Sequence, residues 1–280
     1  MSGAEVVKLT RRKSDKIDII MLTPEKAVEL LDRNKMNRPL ADTHVQRIAK
    51  QILDGKWMFN GDTIKVSEEG DVVDGQHRLW ACIEAKKPIE TVIIYGVPRA
   101  AFATVDTLRR PRSGGDVLAL SGATRYRNIA ASALAWLIRW QRGCLEDYRA
   151  PQNRVENSDI EEAFVAHPGI IRAVERAVTV RSIGNPSIIG FFYYLLSNKA
   201  PDLAERMMTT LADPSSVSVS DPYFRLRNYF TTDHHKQKLP LDSIAVMVKA
   251  TNAAKLNQKL STLYWRSQGK NAEPFPVLKV

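Results

Sequence analysis

Asp74, Gly75, Gln76, His77 and Arg78 follow one another in this chain. Between them they offer a carboxylate, an unrestricted backbone position, an amide, a titratable ring and a fixed cation. Where a strand turns into a helix, such a set holds an anion: the glycine lets backbone approach a ligand, and the first amides of the helix lack intrahelical acceptors. Arg78 adds a planar fork matched to phosphate oxygens. In a catalytic use of the same site, Asp74, His77 and the more distant Asp106 are the groups able to serve as a base. The same residues also fit an ordinary strand-to-helix turn in which Arg78 pairs with a nearby carboxylate and His77 is solvated.

The elements that would position this set can be read from the pattern around it. Val72 and Val73, β-branched and bounded by Glu69-Gly70 and Asp74-Gly75, predict a short strand. Leu79, Cys82 and Ile83 recur at helical spacing after Gln76. Thr63 to Ser67 forms the other arm of a hairpin, and Glu90 to Tyr95 predicts a strand after Lys86-Lys87-Pro88 ends the helix. Upstream, Ile17 to Leu22 reads as a strand, and Thr23-Pro24 caps and opens a helix to about Leu31. A polar loop carrying Arg38 follows. Asp42 is the expected cap of an amphipathic helix carrying Val45, Ile48, Ala49, Ile52 and Leu53. Residues 1–16 read as a basic arm and 17–116 as an α+β domain.

Arg109, Arg110 and Arg112, followed by Gly114-Gly115, predict a basic loop with no helix, able to close on phosphate as a second wall of the turn. A charged interdomain linker is the other reading. Beyond Thr124 the periodicity is helical throughout, giving an all-helical domain over 117–280. Arg125 and Arg127 lie along the first of its helices, which also carries Arg139 and Arg142. Ser158-Asp159-Ile160-Glu161 predicts a capping box, and Pro186, Pro201 and Asp221-Pro222 open further helices. Tyr223, Phe224, Tyr229 and Phe230, interleaved with Arg225 and Arg227, fit either base stacking or a core face. Glu273-Pro274-Phe275-Pro276 predicts an extended strap over the bundle.

The balance of 41 Lys+Arg against 31 Asp+Glu, a net charge of +10 in 280 residues, points to a polyanion, with nucleic acid as the first expectation. Arg38, Arg109, Arg110, Arg112, Arg125 and Arg127 are its candidate contacts. No apolar run approaches the roughly 18 residues of a membrane span, so the expected location is cytoplasmic without a membrane partner. Two cysteines cannot build a disulfide framework, and no cluster has metal-ligand spacing.

The strand, the Asp74-Gly75-Gln76-His77-Arg78 turn, the helix and the strand ending at Tyr95 resemble the ParB/sulfiredoxin superfamily, most closely ParB-like proteins of phages and mobile elements carrying Asp-Gly-Gln-His-Arg. The resemblance covers about residues 17 to 110 and keeps the family's glycine and arginine at Gly75 and Arg78, with Ala81 at a small-residue position. It implies a ParB/sulfiredoxin-like fold with Gly75, Gln76, His77 and Arg78, and in this chain Arg110 and Arg112, around a phosphate-bearing ligand: a nucleotide, such as a nucleoside triphosphate with Mg, or the nucleic-acid backbone. Gln76 stands where sulfiredoxin has its cysteine, so sulfinic-acid reduction is not implied. The superfamily also admits a nucleotide-dependent or DNA-modifying enzyme, whether phosphotransferase, nucleotide hydrolase or nuclease.

Overall fold

The computed structural model describes residues 16–33, 40–98, 112–123, 125–232 and 239–280. Its α+β chain divides into two compact units between Arg110 and Pro111, six residues before the boundary expected at 116.

The first unit runs β1 (Lys16–Leu22), α1 (Pro24–Asp32), α2 (Asp42–Leu53), β2 (Thr63–Ser67), β3 (Val72–Asp74), α3 (Gln76–Ala85) and β4 (Ile89–Val97). Its four strands form one mixed sheet in the order β1-β4-β2-β3, with β2 parallel to β4 and the other two pairings antiparallel. Leu22, Ile64, Val66, Val72 and Ile93 from the sheet share one core with Ala27, Leu30, Val45, Ile52, Leu79 and Cys82 from the helices. Thr23 caps α1 by accepting from Lys26 N at 3.3 Å. Asp42 is the first residue of α2 and not its cap; Ala41 holds that position. β3 pairs with β2 at Lys65↔Asp74 and again at Val66↔Val72, so Val73 is an extra residue on the edge strand. Such a bulge bends the strand and re-aims its neighbours, here immediately before the glycine turn.

The second unit is helical: α4 (Gly114–Leu120), α5 (Arg127–Gln141), α6 (Asn157–Ala166), α7 (Ile170–Val178), α8 (Pro186–Ser197), α9 (Pro201–Ala212), α10 (Pro222–Thr231) and α11 (Pro240–Lys255). The expectation of a helix-free loop through Asp116 fails at α4. Ser113 and Asp116 close a capping box, with Ser113 Oγ accepting from Asp116 N at 3.2 Å and Asp116 Oδ2 from Ser113 N at 2.9 Å. The two glycines are in the helix because of what they touch. A Cβ on Gly115 would lie 1.8 Å from Asn128 Oδ1, and one on Gly114 2.8 Å from Ile160 Cδ1, so their small size lets α4 seat against α5 and α6. The box predicted at Ser158 is likewise displaced: Asp159 accepts from Glu156 N at 2.9 Å, and Glu156 caps α6.

Tyr223, Leu226 and Phe230 of α10 are buried and Tyr229 packs against the same core, while Phe224 is half-buried. Arg225 and Arg227 donate to the carbonyls of Leu260 and Leu211. The strap is present. Trp265 Nε1 donates to Pro274 O at 3.1 Å, Phe275 packs against Trp140 and Trp265, and the Asn252 amide bonds both Val277 O and Lys279 N at 2.8 Å. Among the described residues no helix is long and apolar enough to cross a membrane.

Candidate anion site at the glycine turn

Gly75 links β3 to α3 in the left-handed region, at φ +98°. Two physical demands make it a glycine. An L side chain is strained at that φ, and a Cβ would sit 2.8 Å from Ile64 Cγ1 and 3.2 Å from Ile64 Cα on the neighbouring strand. Its carbonyl accepts from both Arg78 N and Leu79 N, at 3.0 and 3.1 Å. No side chain caps this helix start.

Asp74 sits directly before the turn and holds two cations. Lys65 Nζ donates to its Oδ2 at 2.7 Å, and Arg78 Nη2 reaches its Oδ1 at 3.5 Å. Only 10% of the Asp74 side chain, 13% of Arg78 and 22% of Lys65 is exposed, so the three charges interact in a poorly solvated place, with one positive charge in excess. Arg78 is gripped at one corner, by a long bond. Its Nη1 is buried and meets no acceptor. A buried donor left without an acceptor costs about 1–3 kcal/mol, and a ligand oxygen would remove that penalty.

His77, in the first turn of α3, is joined to α2. Its Nε2 accepts from Ala41 N at 3.2 Å, and its ring meets His44 edge-on, with centroids 4.9 Å apart. Accepting that N–H requires a proton-free Nε2, so the neutral ring carries its proton on Nδ1. His77 therefore caps a neighbouring helix, a position that geometry alone explains. Gln76 opens α3 and is half-buried.

The remaining predicted site residues divide between two places. Arg112, Arg125 and Arg127 belong to the second unit and are exposed. The start of α4 rests on Asn128 of α5, and Asn157 Nδ2 donates to the Arg112 carbonyl at 2.9 Å. Arg38, Asp106, Arg109 and Arg110 lie outside the described residues. Among those described, no group of three or more His, Cys, Asp or Glu is arranged to hold a metal ion. Lys65 is the member of the charge cluster that motif reading missed. Its signal is the hairpin itself, since pairing Thr63–Ser67 with Val72–Asp74 sets Lys65 opposite Asp74. No family model, curated protein or solved structure matches the chain.

Proposed function

We propose that the chain is a DNA-associated, ParB-like protein that holds a phosphate-bearing ligand at the Gly75–Arg78 turn, while the basic helical unit contacts nucleic acid. One observation carries the reading: the Lys65–Asp74–Arg78 cluster has a surplus positive charge and an unsatisfied Arg78 Nη1 at the uncapped start of a helix. An oxyanion there balances the charge, satisfies the donor and meets the positive end of the helix dipole. The ligand is a nucleotide, such as a nucleoside triphosphate with Mg, or a nucleic-acid phosphate. Exposed Arg112, Arg125 and Arg127 supply backbone contacts in the helical unit, with Arg109 and Arg110 as further cations of the same stretch.

Calorimetric titration with nucleoside triphosphates, with and without magnesium, tests the turn. Binding heat is expected from the parent chain and is expected to fall in Arg78→Ala; equal heat from both proteins overturns the assignment. The nucleic-acid contact is tested by the salt dependence of DNA affinity, whose slope is about −0.9 per phosphate neutralised. A flat slope ends that part of the reading.

An enzymatic use of the turn by a phosphotransferase, nucleotide hydrolase or nuclease needs Asp74, His77 or Asp106 free to take a proton, and Asp106 lies outside the described residues. Asp74 already holds two cations and His77 Nε2 already accepts a backbone N–H. Binding is therefore the reading the geometry favours.

A further inference from the structure

We propose a second phosphate site, in the helical unit, built on Arg139 and Arg149 around Tyr148. Arg139 lies in the last turn of α5, its guanidinium carbon 4.9 Å from the centre of the Trp136 ring and 5.8 Å from that of Tyr148. Arg149 comes to the same tyrosine, with its guanidinium carbon 5.3 Å from the ring centre and its Nε donating to the hydroxyl at 2.9 Å. Two guanidiniums thus lie against one aromatic ring. Neither forms an ion pair with a carboxylate among the described residues, although Arg142 nearby takes Asp159 at 3.0 Å and Arg154 takes Glu156 at 3.6 Å. Glu146 and Asp147, exposed on the same loop, pair with neither.

The unsatisfied hydrogen-bonding capacity is specific. Arg139 Nε is buried without an acceptor, and desolvation holds the pKa of this guanidinium below its ordinary value, the signature of a charge with too little around it to balance it. Stacking on an aromatic face neutralises no charge. It fixes the plane of a guanidinium and leaves the Nη edge for a ligand, since Arg149 Nε is bonded to Tyr148 and Arg139 Nε is buried. A single carboxylate satisfies one fork, whereas a phosphate carries more acceptor oxygens and up to two charges, and so matches two guanidiniums. The occupant is therefore the phosphate group of a nucleotide or of nucleic acid. As a nucleic-acid contact the site deepens the proposed function, but it does not depend on the glycine turn.

The test uses the full chain carrying Arg78→Ala, which silences the turn, and a short oligothymidylate with or without a 5′-phosphate, read by fluorescence anisotropy. Adding Arg139→Gln, or separately Arg149→Gln, is expected to weaken binding about tenfold, the scale of one charge-assisted hydrogen bond. Arg139→Lys, which keeps the charge without the fork, should recover only part of the loss. If the loss is confined to the 5′-phosphorylated strand, the ligand is a terminal phosphate; if it is equal for both strands, the ligand is an internal phosphodiester; either supports the site. Inorganic phosphate should compete with the strand. Unchanged affinity in both glutamine variants overturns the proposal. Because Arg149 is exposed, its variant keeps the test decisive if Arg139→Gln fails to fold. Loss of nucleotide heat on Arg78→Ala in the parent reports on the turn alone, so either site can fail without the other.

Discussion

Arg78 and Arg139 are guanidiniums on helices of different units, each with one buried nitrogen that meets no acceptor, and each is held by a different force. Arg78 is held by charge: Asp74 anchors it and Lys65 competes for the same carboxylate. Arg139 is held by ring faces, those of Trp136 and Tyr148. A carboxylate partner sets up an arrangement that fails badly when the shared carboxylate is removed, because its cations are left buried and uncompensated. An aromatic partner contributes less and leaves the cation free to take an anion from outside. The turn in the first unit is thus part of that unit's stability, while the aromatic bracket in the second can change with little effect on the fold.

The largest expected effect follows from that contrast. Asp74→Ala should destabilise the first unit by about 3 kcal/mol, since it strands Lys65 and Arg78; urea denaturation measures it, and a loss below about 1 kcal/mol would break the comparison. Gly75→Ala comes next, at about 2–3 kcal/mol, from the left-handed backbone together with the contact against Ile64. Arg139→Gln should cost under about 1 kcal/mol, because the lost cation–π contact, worth about 0.5–2 kcal/mol, is offset by removing an unsatisfied donor. A larger drop would mean that the bracket is structural after all.

Thiol labelling separates the two units without unfolding the whole chain. Burial, with the Glu25 charge as a smaller contribution, pushes the Cys82 thiol up to about 11, so near pH 8 it should react far more slowly than half-exposed Cys144. Asp74→Ala should speed labelling of Cys82 and leave Cys144 unchanged.

The smallest effect concerns a carboxylate shifted by burial alone. Burial raises the pKa of Asp242 above the ordinary 3.8. The folded state then holds its proton to higher pH than the unfolded state, so its contribution to stability falls as pH rises from about 3.8 through the raised value. Asp242→Asn should accordingly melt higher than the parent at neutral pH, and the difference should close in acid. A variant that melts lower at neutral pH contradicts this sign.

Much of the first unit was legible in the residues. Val72-Val73, the glycine and the helical spacing of Leu79 and Cys82 define a strand, a turn and a helix locally, since alternation, backbone freedom and periodicity need no distant partner. Failure came where a distant partner decides. Gly114 and Gly115 read as helix breakers, yet they open α4 because Asn128 and Ile160 leave no room for a Cβ. Tyr223 and Phe230 had the composition of a stacking surface, and packing buried them. His77 looked equally suited to the anion site or to solvent; its acceptor bond to Ala41 crosses 36 positions of sequence.

At the glycine turn, the sequence by itself determined which residue types stand together and that a strand must turn into a helix there, because both follow from short-range sterics and pattern. Only the tertiary structure decided their state. The pairing register set Lys65 against Asp74, the bulge at Val73 preceded the turn, and burial left Arg78 Nη1 without an acceptor. Charge balance depends on what surrounds a group in space, and a linear order of residues does not contain that.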